Sequence, residues 1–236
     1  MGKSYKQAVN DFKQHLVSNS GYQTDDSGWT DYAILEHILT ERSAEFYRIK
    51  DSKKDIASEN YQTLPFVELQ EVDAVDLGIQ TNGCYVMKSI NPLPRTIAIE
   101  SLTTIDGGQS ISKVKWSEFR FKQSSRNRKT RESRFFAIKD EGDGEYLYVY
   151  NENFLKAVTL TALFEDPYQA LIFPTNKGID KYALCNPWKT DIKIDRQVYD
   201  RVLKLSWSVL PQLKANAPVD TINDSSDNSK TIQPNI

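Results

Sequence analysis

The chain has 236 residues, of which 39% are hydrophobic and 26% are charged, and its mean hydropathy is -0.56. This balance is typical of a soluble protein with one main domain and exposed loops or tails. The formal net charge of -2 excludes a protein that coats nucleic acid with its whole surface, because such proteins carry a large basic excess. Cys84 and Cys185 are far apart and form no CxxC pair, which excludes a disulfide framework and a cysteine zinc site. The simpler interpretation of these two cysteines is that the protein occupies a reducing compartment.

Neither a signal peptide nor a membrane span is expected. Lys3, Lys6, Asp11 and Lys13 interrupt the continuous apolar core that a signal peptide needs. The longest apolar stretch, residues 157–164, is far shorter than the roughly 20 residues that cross a bilayer.

Two helices are predicted before residue 60. The first ends near residues 18–21, and the second begins after Thr30 as N-cap and continues to about Lys50. The apolar stripe of the first helix is Tyr5, Val9, Phe12 and Leu16, and that of the second is Leu35, Ile38, Leu39, Phe46 and Ile49. We expect Arg42 and Glu45 to lie among the polar residues outside the buried face of the second helix.

From Leu64 the hydrophobic period changes from about 3.6 to 2, which indicates strands. Seven strands are predicted at residues 66–72, 84–90, 96–103, 110–121, 134–139, 145–151 and 157–164. Glycines at residues 107–108 and 144 favour hairpin turns between some of them. The expected fold is α+β, with an antiparallel β-sandwich-like or open-barrel centre.

A C-terminal helix is predicted from its N-cap Asp195 to Leu213, with Pro211 expected to kink or tighten its last turn. Its buried stripe is Val198, Val202, Leu205, Val209 and Leu213. From Ala215 onward polar residues dominate and no period survives. We therefore expect a helical arm at 1–60, a β-rich domain at 61–176, a loop and helix at 177–214, and an extended docking tail at 215–236.

Residues 113–134 form a strongly basic segment. It contains nine basic and two acidic residues, a net charge of +7 in a chain whose total is -2. The candidate contacts are Lys122, Arg126, Arg128, Lys129, Arg131 and Arg134. One interpretation is an exposed finger that meets DNA phosphates or an acidic neighbouring subunit, and the other is a solvated hairpin tip.

Two further sets of residues are candidates for contacts with a partner. Tyr146, Tyr148 and Tyr150 alternate along one predicted strand and so share a face, and tyrosine is enriched at interfaces. The tail offers a short run that a neighbouring groove is expected to capture, for example as an added strand. Its candidate residues are Pro218, Val219, Asp220, Ile222 and Asn223.

The sequence offers little for catalysis, and neither a cofactor nor a metal site is expected. His15 and His37 are the only histidines, and neither has a His or Cys at metal-ligand spacing. The acidic run at residues 140–145 fails the calcium-loop pattern and favours a hairpin turn. No nucleotide-binding, serine-hydrolase or zinc-protease motif occurs. A protein without enzymatic activity is the expectation.

Three stretches together resemble ring proteins of phage tails. They are the aromatic helix at residues 29–49 that leads into 64–69, the strand end at 160–167, and the final helix with the tail at 217–227. The pattern is similar to tail ring and head-tail connector proteins of crAss-like Bacteroidetes phages, over residues 29–227. The chain departs from it at Pro211 and in its asparagine-poor spacing after Asp220.

The resemblance implies a structural protein of the virion tail that is assembled in the host cytoplasm, with about twelve copies in a ring around the DNA exit channel. Its partners would be further copies of itself and neighbouring tail ring or portal proteins, with DNA only transiently in the lumen and no membrane. Two alternatives stay open. One is a nucleic-acid-binding module that uses residues 122–134, and the other is a carbohydrate-binding or carbohydrate-active protein with Glu145 beside the tyrosine strand.

Overall fold

A computed structural model describes residues 3–20, 30–78, 85–119, 121, 134–150, 155–174 and 186–215. The helices are α1 (Tyr5–Ser20), α2 (Asp31–Asp51), α3 (Trp116–Phe119), α4 (Pro167–Leu171) and α5 (Arg196–Ala215). The strands are β1 (Gln62–Val72), β2 (Val86–Ser89), β3 (Thr96–Thr104), β4 (Ser112–Lys113), β5 (Phe135–Asp140), β6 (Glu145–Tyr150) and β7 (Ala157–Phe164).

The first two helices form as the sequence predicts. Tyr5, Val9 and Phe12 of α1 are all buried. The Thr30 hydroxyl accepts a hydrogen bond from the Ala33 amide at 3.2 Å, which confirms Thr30 as the N-cap of α2. Asp31 in the first turn complements the positive end of the helix dipole. α2 therefore begins at the predicted cap, and α1 ends at Ser20, within the predicted range of residues 18–21.

The expected exposure of Arg42 and Glu45 on α2 is wrong. Their exposed fractions are 0% and 2%, so both charged side chains are buried. α2 packs against α1, α5 and β3. Glu36, Thr40 and Arg48 stay exposed, so only part of its polar face is covered. Burial of these charges requires polar partners.

The strands of the described residues form one sheet in the order β3-β7-β1-β2-β6-β5-β4. The pairs are antiparallel, apart from β4 and β5, which are parallel. β1 is long enough to serve both halves of the sheet, since its first part pairs with β7 and its second part with β2.

The sheet curls towards closure at residues 110–113. Ser110 forms a bridge with Thr103 on β3, and the Ile111 amide donates to the Leu102 carbonyl at 2.9 Å. The next residue, Ser112, pairs with Phe135 on β5. One short segment thus joins the two edges of the sheet, and the result is a near-barrel. The α+β class with a sheet-rich centre is confirmed, and the hydrogen bonds match its open-barrel form.

The barrel has apolar packing on both faces of β6. Leu147 and Val149 point into the barrel, whose interior also contains Leu64, Leu69, Phe136, Val158, Leu160 and Phe164. The alternate residues of β6 point outward into a second cluster. On the other side of the barrel, Ile97 and Leu163 face a third cluster formed with α1, α2 and α5. A strand that is buried on both faces has an almost continuously apolar sequence, and β6 has such a sequence.

The predicted strand at residues 110–121 is wrong for most of its length. Only Ser112–Lys113 is a strand, and Trp116–Phe119 is a short helix. Trp116 and Phe119 lie three residues apart, so a helical turn places both rings on one side. The Trp116 ring lies 4.8 Å from the Tyr148 ring, and the Phe119 ring lies 5.6 Å from the Phe135 ring. This tertiary packing outweighs the local β propensity.

We predict that Phe119→Ala lowers the free energy of unfolding by about 3 to 4 kcal/mol, because it leaves a cavity under α3. Phe119 is fully buried, whereas Phe121, two residues away, is 71% exposed. Phe121→Ala is therefore the matched control, with an expected change within about 0.5 kcal/mol. Urea unfolding of the monomer measures both. Equal losses in the two variants would contradict the placement of α3.

Candidate functional site

Arg42 joins the helices to the barrel through a set of hydrogen bonds to main-chain carbonyls. Its Nη1 donates to the Phe164 carbonyl at 2.9 Å and to the Glu165 carbonyl at 3.1 Å, just after β7. Its Nη2 and Nε both donate to the Lys193 carbonyl, at 2.9 and 3.2 Å. We call Arg42 and these three carbonyls the arginine clamp. It holds α2, the end of β7 and the approach to α5 together.

The electrostatic environment of the arginine clamp keeps the guanidinium charged at neutral pH. Burial lowers the pKa of Arg42 to about 10, while the nearby Tyr5 and Asp166 act in the opposite direction. The Tyr5 hydroxyl donates to Asp166 at 2.8 Å, and burial followed by this carboxylate raises the pKa of Tyr5. Lys193 has a φ of 48°, in the left-handed region, as it presents its carbonyl to Arg42.

A second polar group fixes the start of α5. The Asp195 amide donates to Asn60 Oδ1 at 2.7 Å, and Asn60 Nδ2 donates back to Asp195 Oδ2 at 3.0 Å. Asp195 Oδ1 accepts from the Val198 amide at 3.0 Å, which confirms Asp195 as the predicted N-cap. One turn later, Arg201 forms an ion pair with the buried Glu45 of α2. These contacts fix the orientation of α5 relative to α2.

The described part of α5 agrees with the predicted stripe. Val198 and Val202 are buried and Leu205 is half-buried. The helix continues through Pro211 to Ala215, two residues beyond the predicted end. The candidate tail residues Pro218, Val219, Asp220, Ile222 and Asn223 lie outside the described residues.

The start of β5 and the end of β6 lie at one end of the barrel, which we call the loop end. Phe135 pairs with Tyr150, and Tyr150 pairs with Val86, in one row across the strands. Of the candidate basic residues, the structure describes Arg134, which precedes β5 and is exposed. The other candidate basic residues, Lys122, Arg126, Arg128, Lys129 and Arg131, lie outside the described residues.

The three candidate tyrosines of β6 share one face, and that face is covered by the same chain. Tyr146, Tyr148 and Tyr150 are 8%, 1% and 0% exposed. The Phe135 ring stacks on Tyr150 at 4.4 Å, and Trp116 of α3 covers Tyr148. The three tyrosines therefore form no open surface in the single chain. The sequence alone does not reveal that α3 folds over them. A role for these rings in contact with a partner stays a prediction.

Glu141, in the β5–β6 hairpin, accepts hydrogen bonds from three side chains. Lys88 lies 2.5 Å away, Lys139 lies 3.2 Å away, and the Tyr148 hydroxyl also donates to the carboxylate. Burial alone would raise the pKa of Glu141, but these hydrogen bonds outweigh it and lower the pKa to about 2. The Lys88 ammonium also lies 3.8 Å above the centre of the Tyr146 ring. The group fastens the hairpin to β2 and β6.

The opposite end of the barrel, around the β5–β6 hairpin, carries an open hollow of about 690 Å³ with a mixed polar and apolar lining. We call it the proline hollow. Its apolar lining comes from Pro92, Leu93, Pro94, Ile172, Phe173 and Pro174. Its charged lining residues are Arg95, Asp140, Asp143 and Glu145, a formal net charge of -2. The Leu93 amide donates to the Glu145 carbonyl at 2.7 Å, which fixes one wall.

Two kinds of feature are not found in the part of the chain that the structure describes. Within the described ranges, His, Cys, Asp and Glu side chains form no group of three or more that is able to hold a metal ion. A search of the same ranges finds no helix with the length and apolarity needed to cross a membrane.

The sequence does not predict the arginine clamp or the buried contacts between α2 and α5. A buried charge on an otherwise amphipathic helix leaves no local sequence signal.

A sequence profile of the family described as phage tail ring protein 2, a ring family of crAss-like phages, matches residues 15–229. The match covers 215 of the 236 residues, so the chain belongs to this family. The predicted resemblance to tail ring proteins of crAss-like phages is thereby confirmed. A search of curated proteins finds no match.

We predict that Arg42→Met lowers the free energy of unfolding by about 3 kcal/mol, since it leaves buried carbonyls without donors. Arg48→Met, on the same helix, is the matched control. The Arg48 side chain is 61% exposed, and its Nη1 lies 3.4 Å from Glu45 Oε2, which is a long distance for an ion pair. Its expected loss is below about 1 kcal/mol. Chemical unfolding measures both, and equal losses would contradict the clamp.

We predict a pH-dependent loss in Glu141→Gln. Because the folded-state pKa of Glu141 is below its usual value of 4.5, its stabilisation is present above pH 4.5 and is lost as the pH falls towards 2. The variant should be less stable by about 1 kcal/mol at pH 7, and this difference should shrink in that acidic window. Unfolding in a double-mutant cycle with Lys88→Gln measures the coupling. A difference that is independent of pH would contradict the assignment.

Proposed function

We propose that this phage tail ring protein associates with copies of itself into a closed ring that surrounds the DNA exit channel. The observation that carries the proposal is the family match over residues 15–229. The resemblance to tail connectors favours about twelve copies, and closed cyclic symmetry is common among homo-oligomers. The role is mechanical and involves no catalysis. Assembly takes place in the host cytoplasm, and the ring then forms part of the tail.

The way the helices are fixed supports a mechanical role. The arginine clamp and the Asn60–Asp195 pair connect α2, β7 and α5 within one body. A subunit that transmits force between its neighbours needs such cross-links, because a closely packed and cross-linked body deforms little under force. α5 ends at Ala215, where the tail begins. We propose that the tail, residues 215–236, docks on a neighbouring tail ring or on the portal protein.

The basic segment supports a contact with phosphates or with an acidic subunit surface. Its net charge of +7 contrasts with the -2 of the whole chain. In a ring, this segment would meet DNA only transiently in the lumen, or it would meet the next subunit.

The second candidate function is a nucleic-acid-binding module that acts as a monomer, and the same charge favours it. Binding of a monomer to DNA with a steep salt dependence would favour that alternative.

We predict that the full-length chain has a native mass close to about twelve subunits, either alone or in virions. Native mass spectrometry of purified protein and of disrupted tails measures it. A chain that stays monomeric in both preparations would rule out the ring.

A variant that ends at Ala215 tests the docking tail separately. It should keep the subunit fold and the ring, because the described core ends with α5, but it should fail to join neighbouring tail proteins. Incorporation of the truncated chain into tails at the level of the full chain would contradict tail docking. The full-length chain produced in parallel is the control.

A further inference from the structure

We infer that a small notch between α1, the start of α2 and the 3₁₀ turn Pro187–Lys189 is a binding site for a neutral sugar unit of a polysaccharide. The notch has a volume of about 290 Å³, and we call it the aromatic notch. The inference goes beyond the proposed function, because it assigns a ligand of another chemical class and does not depend on ring formation. The lining residues are Lys6, Val9, Asn10, Asp31, Asn186 and Trp188.

Two aromatic rings form a corner at the notch. The Trp188 ring lies 5.0 Å from the Tyr32 ring, and the two planes make an angle of 60°. Trp188 is half-buried against the helical cluster, whereas Tyr32 is 64% exposed. The face of an aromatic ring is electron-rich, so it attracts the electropositive C–H groups on the flat side of a sugar. The corner thus offers aromatic surface to one sugar unit.

Polar side chains with unused hydrogen-bonding capacity surround the two rings. Within the described part of the chain, the side chains of Lys6 and Asn10 make no hydrogen bond. The Asn186 side chain uses only its Oδ1, which accepts from the Trp188 amide at 3.2 Å. The Trp188 indole N–H has no partner in the same ranges. A sugar hydroxyl both donates and accepts, so amide groups such as these suit a pair of adjacent hydroxyls.

The charges at the notch favour a neutral ligand over nucleic acid. Asp31 lines the notch, and its ion pair with Lys13 compensates its charge. Lys6 adds a single positive charge. Nucleic-acid bases also stack on aromatic rings, but a nucleic-acid site needs a positively charged groove, and a carboxylate beside the rings opposes phosphate. A proline-rich peptide needs an extended aromatic groove, whereas this notch is compact.

Contacts between its walls hold the aromatic notch in shape. The Tyr5 amide donates to the Thr190 carbonyl at 2.9 Å, which fixes α1 against the end of the 3₁₀ turn. The ion pair between Lys13 of α1 and Asp31 of α2 joins the other two walls. The rings and amides are therefore positioned before a ligand arrives. Binding to such a site costs little conformational entropy.

Nuclear magnetic resonance with simple glycosides tests the site on the full chain. The probes are the methyl glycosides of glucose, galactose and mannose, and we expect at least one of them to bind with a Kd of about 1 mM. The chain has four tryptophans, and the indole N–H signal that is absent in Trp188→Phe identifies Trp188. That signal should shift when the glycoside is added, while the other indole signals stay in place.

Variants at exposed positions separate binding in the notch from binding elsewhere. Tyr32→Ala and Asn10→Ala should each weaken binding of the glycoside about three- to tenfold, because one loses ring contact and the other loses hydrogen bonds. Both residues are exposed, so both variants should fold, and circular dichroism checks this. Tyr85→Ala is the matched control, since it removes a tyrosine that is 42% exposed just before β2. It should bind like the unmodified chain.

The same titrations include the outcomes that overturn the inference. It is wrong if none of the three glycosides shifts the Trp188 signal at concentrations well above about 1 mM. It is also wrong if Tyr32→Ala and Asn10→Ala bind the glycoside as tightly as the unmodified chain. An oligoproline peptide and a short single-stranded DNA serve as further probes. A shift of the Trp188 signal by either of them, with no shift by a glycoside, would assign the notch to a different ligand and overturn the inference.

Discussion

The buried guanidinium of Arg42 is the constraint on which the relative position of helices and barrel depends. Burial of a charge is costly unless its donors find acceptors in good geometry, and here the acceptors are main-chain carbonyls of two separate segments. A shift of α2, of the end of β7 or of the approach to α5 would break several of these hydrogen bonds at once. The helices and the barrel are therefore held in one relative position.

The barrel adds a second constraint, because its strands are covered on both faces. Leu147 and Val149 of β6 fill the interior, while Tyr148 and Tyr150 of the same strand pack outward under α3. A slip of register by one residue would exchange these two sets, and neither side would accept the other. The body is therefore rigid in its centre. The exposed large apolar residues of the described ranges, such as Tyr32 and Phe121, lie outside this packed centre.

Local sequence signals predict most of the helices and strands. The features that they do not predict depend on tertiary contacts. The sequence predicts Thr30 and Asp195 as caps, because a cap depends on only a few consecutive residues. The aromatic residues of α3 have high β propensity and predict a strand, and only the rings beneath them reveal a helical turn. The sequence does not predict the burial of Arg42, because its partners lie more than 120 residues away in the chain. Signals of that kind exist only in the folded chain.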